Sequence, residues 1–190
     1  NKRLNSPNDV CVHSSGAIFF TDPPYGIINS KRVEGFPGKM MYGGSNVFMH
    51  NPKTKLIEAI VVDMDRPNGI ALSPDESHLF ISNSGQTKYI KRYNIGNNLK
   101  ITKPIVFAKT DSKHVFDGFR FDNDNNLWTS CGKGVACYTT SGEKIGYIKI
   151  PEIVSNVEFG STEGNTLFVT ASTSLYMIRL NVRGAKFSHR

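Results

Sequence analysis

The chain has 190 residues, of which 38% are hydrophobic and 21% charged, with 17 Gly and 9 Pro. This composition excludes disordered, collagen-like and coiled-coil proteins, and the length suits a single domain over residues 1–190. The net charge of +7 comes from scattered basic residues, and no run reaches the roughly 18 apolar residues of a membrane helix, so neither nucleic acid nor membrane is an expected partner.

Short β-branched and aromatic runs, separated by Gly, Asn, Asp and Pro, dominate the chain, and no stretch follows the 3.6-residue period of a helix. Four segments repeat one order of features: a polar residue, a short strand, a turn, and a second strand that contains an aromatic residue. The polar residues are Asn8, Asn68, Asp117 and Asn156, and the aromatic residues are Phe19, Phe80, Trp128 and Phe168. The repeats are about 40 to 60 residues apart, which is close to the length of one β-propeller blade.

After each of the first three repeats there is room for two further strands, as a four-stranded blade requires. We predict these strands at 47–50 and 56–63, at 89–95 and 105–108, and at 135–138 and 144–150. A Gly- and Pro-rich insertion at residues 23–44 lengthens the first interval. We interpret it as a long loop at one rim, either a lid or pocket wall or a plain surface excursion. The sequence thus predicts an all-β protein with about four propeller blades.

The repeated polar residues are expected to lie together, because a propeller arranges equivalent positions of successive blades around one mouth of its channel. Converging amide and carboxylate oxygens there favour a hard divalent cation such as Ca²⁺. The alternative for any one position is a simple turn, since Asn-Gly and Asp-Gly are common turn formers. Oxygen-bearing side chains at all four positions favour the cation site, because a turn does not require one in every repeat.

Asp117 is the only carboxylate among the four repeated positions and is therefore the candidate catalytic residue. It could bind the cation, act as a general base toward water, or do both, while the cation would polarise a carbonyl oxygen. A neighbouring cation should lower the pKa of Asp117 and keep it ionised. His114, three residues earlier in the chain, is either a surface loop residue or a proton shuttle at the same mouth.

At these residues the sequence resembles the gluconolactonase family, also called the senescence-marker-protein-30 or regucalcin-like family. The matching stretches are residues 6–9 (Ser-Pro-Asn-Asp), 20–26 (Phe-Thr-Asp-Pro-Pro-Tyr-Gly), 66–75, 117–122, 155–160 and 167–170. The resemblance implies a six-bladed β-propeller with one divalent metal, usually calcium, at the mouth of the channel. It also implies hydrolysis of sugar lactones or related cyclic esters.

The resemblance assigns roles to individual residues. Asn68 and Asp117 are implied metal ligands, and Asn8 is either a further ligand or a group that holds substrate and water. Asp117 is also the implied general base. Asp22 and Tyr25 are implied to lie near the substrate pocket. Calcium is the expected metal, with zinc, magnesium and manganese as alternatives, and a small lactone is the expected substrate.

One part of the family pattern is not found in the chain. The remaining metal ligand of the family is a Glu near the start of the protein, and this chain begins after that position. The last residues, 175–184, resemble the final strand of the family, so we expect about two blades to be missing at the front. We therefore expect a six-bladed propeller of which about four blades are present. The chain alone should bind metal weakly and be a poor lactonase, because its sheet edges and apolar faces are open.

Two other functions are compatible with these motifs. The first is a non-catalytic propeller that binds calcium or another ligand at the same mouth, since a fold does not fix a function. The second is an enzyme of the paraoxonase or strictosidine-synthase type, which shares the architecture but should differ in the motifs around the metal. The sequence indicates neither an oligomeric state nor a cellular compartment.

Overall fold

The computed structural model describes residues 2–28, 38–110 and 114–185. Within these ranges the chain forms fifteen β-strands in four antiparallel sheets, which we call blades 1 to 4 in chain order. Blade 1 contains β1 (Val10–Val12), β2 (Ile18–Asp22), β3 (Asn46–His50) and β4 (Ile57–Val61). Blade 2 contains β5 (Pro67–Leu72), β6 (His78–Asn83), β7 (Tyr89–Ile95) and β8 (Ile101–Lys109). Blade 3 contains β9 (Phe119–Phe121), β10 (Leu127–Ser130), β11 (Gly134–Tyr138) and β12 (Lys144–Lys149), and blade 4 contains β13 (Val154–Gly160), β14 (Thr166–Ala171) and β15 (Leu175–Arg179).

Each blade is a meander in which neighbouring strands follow one another along the chain. The first strands of successive blades lie next to one another: β1 and β2 contact β5, β5 contacts β9, and β9 and β10 contact β13. This arrangement is that of a β-propeller, so the predicted all-β class and the four blades are confirmed. Where the insertion at residues 23–44 is described, it is a loop between β2 and β3, and its middle part lies outside the described residues.

The predicted strands all form, with one substantial change of bounds. β8 runs from Ile101 to Lys109, whereas the sequence predicted only residues 105–108. Most of β8 is exposed because it is the outermost strand of its sheet, and Pro104 is tolerated at such an edge. The missed residues, 101–104, include Pro104, and a Pro argues against a strand when only the sequence is considered.

The pairing of strands corrects one member of the repeat. The residues opposite the four repeat aromatics are Cys11, Ala71, Arg120 and Glu158. Three residues before each of them stand Asn8, Asn68, Asp117 and Ser155. Asn156 therefore does not share the position of Asn68 and Asp117, and its expected place in the ring of polar residues was wrong. The cause is a longer interval in blade 4: the matching position, residue 155, stands 13 residues before Phe168, whereas the interval is 11 or 12 residues in the other blades.

Apolar cores lie between successive blades rather than within a single sheet. The core between blades 1 and 2 includes Phe19, Val47, Met49, Ile70, Leu79 and Ile81. The core between blades 2 and 3 includes Phe80, Phe107, Phe116, Phe119 and Leu127, and that between blades 3 and 4 includes Val135, Val157, Phe159, Leu167 and Val169. Because a one-residue slip would turn these side chains out of the core, the packing fixes the strand register.

The outward sheet faces of the first and last blades carry exposed apolar residues. In β1, Val10 is 53% and Val12 60% exposed, and in β15, Leu175 is 66% and Met177 74% exposed. Such faces are buried wherever two blades of this protein pack together. Among the described residues, no helix has the length and apolar character needed to cross a membrane.

Candidate active site

Asn68 and Asp117 lie together where the first strands of blades 2 and 3 begin. Asn68 is in β5, and Asp117 comes two residues before β9. The two backbones approach so closely that a Cβ at Gly69 would lie 2.0 Å from the carbonyl oxygen of Asp117. A residue with a side chain would separate the blades at this point, so the Asn-Gly sequence serves a close approach and not only a turn.

The side-chain amide of Asn68 is buried and oriented by its nitrogen. The Nδ2 group donates to Ser84 Oγ at 2.9 Å, and Ser84 Oγ donates to the Phe116 carbonyl oxygen at 3.1 Å. Asn68 is only 6% exposed, yet its Oδ1 atom is buried without a hydrogen-bond partner. A buried oxygen without a partner is costly unless another group binds it. The fixed nitrogen and unpartnered oxygen are what a ligand to a cation requires.

Asp117 supplies a carboxylate beside this amide. Its backbone N–H donates to Ser130 Oγ at 2.8 Å, which fixes the main chain. Burial raises the pKa of Asp117 to about 6, the nearby charge of Asp9 contributes to the increase, and the Asn68 side chain opposes it. A buried carboxylate of raised pKa is a candidate both for general-base catalysis and for neutralisation by a cation.

Tyr25 reaches the same mouth from the loop that follows β2. Its side chain is partly buried, and the hydroxyl oxygen makes no hydrogen bond within the described part of the chain. Burial raises the pKa of the Tyr25 hydroxyl, the nearby Ser84 hydroxyl opposes this increase, and the charge of Asp117 adds to it. The Tyr25 hydroxyl therefore lies near Asp117 and could form a hydrogen bond with a bound ligand.

Asn8 and Asp22 occupy different environments. Asn8 is exposed, and its backbone N–H donates to the carbonyl oxygen of Thr21 at 2.9 Å. Asp22 is fully buried, and its two carboxylate oxygens accept hydrogen bonds from the backbone N–H groups of Asn5 and Ser6, at 2.9 and 2.8 Å. Asp22 thus holds the segment that leads to Asn8, whereas the Asn8 side chain itself is open to solvent.

The structure shows local contacts of two other residues that were considered from the sequence. The ring of His114 packs against Gly132, where an added Cβ would lie 2.2 Å from the imidazole Cδ2 atom. Asn156 Oδ1 accepts a hydrogen bond from the backbone N–H of Val157 at 2.8 Å, and its side chain lies against Gly118. Asn156 therefore caps its own backbone, as Asn residues commonly do at turns.

The donor atoms at this mouth fit a hard cation. Asn68 Oδ1 and the Asp117 carboxylate are oxygen ligands of the kind that Ca²⁺ accepts, and the first of them lacks any other partner. Within the described ranges, no group of three or more His, Cys, Asp and Glu side chains could hold a metal ion. The candidate cation ligands among the described residues are therefore an amide and a carboxylate.

Comparison with known proteins identifies the family. Residues 1–173 match the family model described as the SMP-30/gluconolactonase/LRE-like region. The chain belongs to this family. It is 36% identical over 193 residues to a gluconolactonase of Zymomonas mobilis, an alignment that covers 96% of this chain and 52% of the relative.

Solved structures of the family share the fold. A provisionally assigned gluconolactonase superimposes with a TM-score of 0.87 at 37% identity, covering 96% of this chain and 61% of that protein. The gluconolactonase of Xanthomonas campestris gives a TM-score of 0.85 at 33% identity, covering 94% and 58% of the two chains. The chain thus spans about half the length of the curated relative and about three fifths of these structures.

Two residues that shape the site were not identified from the sequence. Ser84 orients the amide of Asn68, and Thr21 contacts the backbone of both Asn8 and Asn68. Ser84 left no recognisable signal, because it lies in a loop outside the repeat. Thr21 did leave one, since a hydroxyl residue stands two positions after the aromatic residue in every repeat.

Proposed function

We propose that the chain contains the central part of a lactonase active site, in which Asn68 and Asp117 bind a divalent cation and Asp117 activates water. The observation that supports this most directly is the buried, unpartnered Oδ1 atom of Asn68, whose side-chain amide also interacts with the Asp117 carboxylate. The substrate class comes from the relatives, since two of the proteins compared above are named gluconolactonase.

The cation would be held by Asn68 Oδ1 and the Asp117 carboxylate, with Asn8 as a further ligand or as a group that holds substrate and water. Calcium suits this oxygen set best, with zinc, magnesium and manganese as alternatives. When bound, the cation supplies Lewis-acid polarisation of the lactone carbonyl. Its positive charge would also lower the pKa of Asp117, which burial raises, so that the carboxylate would stay ionised at neutral pH.

Asp117 acts as the general base. It takes a proton from water as the water oxygen bonds to the carbonyl carbon of the lactone. The bond between that carbon and the ring oxygen then breaks, and the proton held by Asp117 passes to the ring oxygen, which leaves as a hydroxyl group. The product is an open hydroxy acid, which releases a proton at neutral pH.

The remaining residues hold the substrate. The exposed Asn8 amide can donate to and accept from sugar hydroxyl groups, and the unpartnered Tyr25 hydroxyl can also bind the substrate. Asp22 contributes indirectly, because it binds the backbone of Asn5 and Ser6 ahead of Asn8. Its replacement should shift the Asn8 segment rather than remove a substrate contact.

We also propose that the complete ring has six blades. Four blades are formed by a chain that covers 61% of one solved relative and 58% of another, which agrees with a total of about six. The exposed apolar faces of β1 and β15 are then the surfaces on which the further blades pack.

The experiment that tests the proposed function measures proton release from glucono-1,5-lactone by the full-length protein with calcium and with chelator. Wild type should accelerate ring opening only with a divalent cation. The Asp117→Asn variant should lose at least about 100-fold in kcat, in line with the loss of a general base. Asp124→Asn, which changes an exposed carboxylate in the turn between β9 and β10, serves as the matched control.

Each outcome distinguishes the candidate functions. Ring opening that persists in chelator, or that is unchanged in Asp117→Asn, would contradict the mechanism. Tight calcium binding without turnover would instead support a non-catalytic calcium-binding propeller.

A further inference from the structure

Hydroxyl side chains recur at one position of every blade, two residues after the repeat aromatic. They are Thr21, Ser82, Ser130 and Thr170. The first three are fully buried. A buried hydroxyl must bond to something. Each of these three reaches a main-chain group of Asn68 or Asp117, and Thr21 and Ser82 also contact the backbone of Asp9 and Gly69, respectively.

Thr21 bridges blades 1 and 2 at the backbone of Asn68. Its Oγ1 atom donates to the Asn68 carbonyl oxygen at 2.8 Å and accepts from the backbone N–H of Asp9 at 3.1 Å. The Asp9 carboxylate in turn accepts from the backbone N–H of Ile70 at 3.0 Å, two residues beyond Asn68. The main chain from the Asn68 carbonyl group to Ile70 is therefore fixed by side chains of Thr21 and Asp9.

Ser82 and Ser130 hold Asp117 in a comparable way. The backbone N–H of Asp117 donates to Ser130 Oγ at 2.8 Å, and the Ser82 hydroxyl lies 3.5 Å from the Asp117 carbonyl oxygen. Ser82 belongs to blade 2, so this contact also crosses from one blade to the next. In two cases, therefore, the repeated hydroxyl contacts the main chain of a candidate cation ligand in the following blade: Thr21 contacts Asn68, and Ser82 contacts Asp117.

Thr170 has the same position in the repeat but makes its hydrogen bonds within its own blade. It is exposed, and its Oγ1 atom lies 2.9 Å from Ser155 Oγ and donates to the Asn156 carbonyl oxygen at 3.3 Å within its own blade. Thr170 is consequently a natural control, since it has the same place in the repeat but contacts neither Asn68 nor Asp117.

We propose that Thr21 is a positioning residue of the active site and that Ser82 plays the same part for Asp117. Neither hydroxyl touches substrate. Each fixes the main chain from which a ligand side chain projects, so that the Asn68 oxygen and the Asp117 carboxylate are held at the separation a cation needs before it arrives. This inference rests on the proposed function for the identity of the site, and it concerns the inter-blade hydroxyls that hold it.

The test replaces Thr21 with Val, which keeps the shape and removes the hydroxyl, and with Ser, which keeps the hydroxyl. Calcium affinity of the full-length protein is measured by calorimetry, and kcat and KM are measured on glucono-1,5-lactone. Thr21→Val should weaken calcium binding by about 10- to 100-fold, as loss of a group that orients a ligand commonly does. Thr21→Ser should stay within about threefold of wild type, and Thr170→Val should not change either measurement.

Loss of catalysis should appear mainly in kcat, because the hydroxyl does not contact substrate. Calcium affinity and kcat unchanged in Thr21→Val would overturn the proposal, as would a Thr21→Ser variant as impaired as Thr21→Val. If Thr21→Val does not fold, Ser82→Ala decides the question at Asp117: about a tenfold loss of calcium affinity supports the proposal, and none refutes it.

The two proposals can fail separately. A wild-type protein that binds calcium but opens no lactone refutes the proposed function, while the calcium titration of the Thr21 variants still judges the positioning role. A wild-type protein that neither binds calcium nor opens the lactone refutes both.

Discussion

The side chain of Asn68 is fixed by its nitrogen and left open at its oxygen. Ser84 accepts the hydrogen bond from Nδ2, so the amide cannot rotate freely to satisfy Oδ1 elsewhere. Asp117 is under a comparable constraint, because burial disfavours its charged form. Both groups are less stable than they would be in water, and one bound cation would relieve both.

The raised pKa of Asp117 predicts how the stability of the cation-free protein depends on pH. The pKa rises from an ordinary 3.8 to about 6 in the folded protein, so folding favours the protonated form. The favourable contribution is therefore complete below about pH 4 and is lost as the pH rises through 6. Thermal unfolding in chelator should show a melting temperature that falls over this window. Asp117→Asn should abolish that fall, and a wild-type profile equal to that of Asp117→Asn would contradict the burial of the charge.

At the scale of strands and loops, the approach of β5 to the start of β9 determines the geometry of the site. Gly69 allows this approach, since an added Cβ would lie 2.0 Å from the Asp117 carbonyl oxygen and 2.9 Å from the ring of Phe119. The first of these is a backbone atom of Asp117 itself, and the second belongs to the buried Phe119, two residues further along the chain. An added Cβ would therefore displace the segment that carries Asp117.

Gly69→Ala should accordingly destabilise the protein by about 1–3 kcal/mol, the usual cost of overpacking. It should also weaken calcium binding, because the two ligands would be pushed apart. Denaturant unfolding and calcium titration check these effects. Gly44→Ala is the control, since an added Cβ there would meet no atom within 4 Å. A Gly69→Ala protein as stable as Gly44→Ala would show that the close approach is not required.

The turn between β14 and β15 is closed by a single carboxylate. Glu152 accepts hydrogen bonds from the backbone N–H of Thr173 at 2.7 Å and from the hydroxyl groups of Thr173, Ser174 and Tyr176. These hydrogen bonds lower the pKa of Glu152 to about 2, and the bond from the Ser174 hydroxyl contributes most. The β14–β15 hairpin is thus held by a group that precedes its turn by some twenty residues.

Glu152 should stabilise the protein above the ordinary pKa of 4.5, and this contribution should disappear as the pH falls through about 2. Thermal unfolding at several pH values should show that Glu152→Gln melts below wild type at pH 7 and that the difference narrows in acid. Glu143→Gln, in the turn between β11 and β12, provides a control for removing one acidic charge. A difference between wild type and Glu152→Gln that does not vary with pH would contradict the role of the charged carboxylate.

Strand prediction succeeded even for exposed edge strands such as β4 and β12, whose sequences are rich in β-branched and aromatic residues. The start of β8 was missed because it contains Pro104, a residue that argues against a strand unless the strand lies at an edge. The assignment of Asn156 failed because the interval between the polar position and the aromatic residue is longer in blade 4 than in the other blades, so an alignment by spacing selects the residue after Ser155.

The site residues also divide into those that the repeat predicts and those that it does not. The placement of Asn68 and Asp117 at one mouth could be predicted, because the repeat itself brings equivalent positions together. The oxygen of Asn68 that lacks a partner could not, since it depends on Ser84, which lies outside the repeat. Thr21 was within reach of the sequence but was read only as part of a strand. The importance of its hydroxyl appears only when the next blade is in place.

At the scale of the whole molecule, each blade supplies only part of the site. Blade 1 fixes Asn68, blade 2 carries Asn68 and contacts Asp117, and blade 3 carries Asp117. The apolar cores lie between blades as well, so the packing that stabilises the propeller also sets the distance between the two candidate ligands. The function proposed for this chain is therefore a property of the assembled blades and not of any one of them.

The central claim is that Asn68 and Asp117 jointly bind a divalent cation at the mouth of the propeller. The most direct test is a crystal structure of the full-length protein grown with calcium, with the ion located from its anomalous scattering. We predict a peak within about 2.6 Å of both Asn68 Oδ1 and an Asp117 carboxylate oxygen. A peak that contacts neither residue, or a well-ordered site with no peak at saturating calcium, would contradict it.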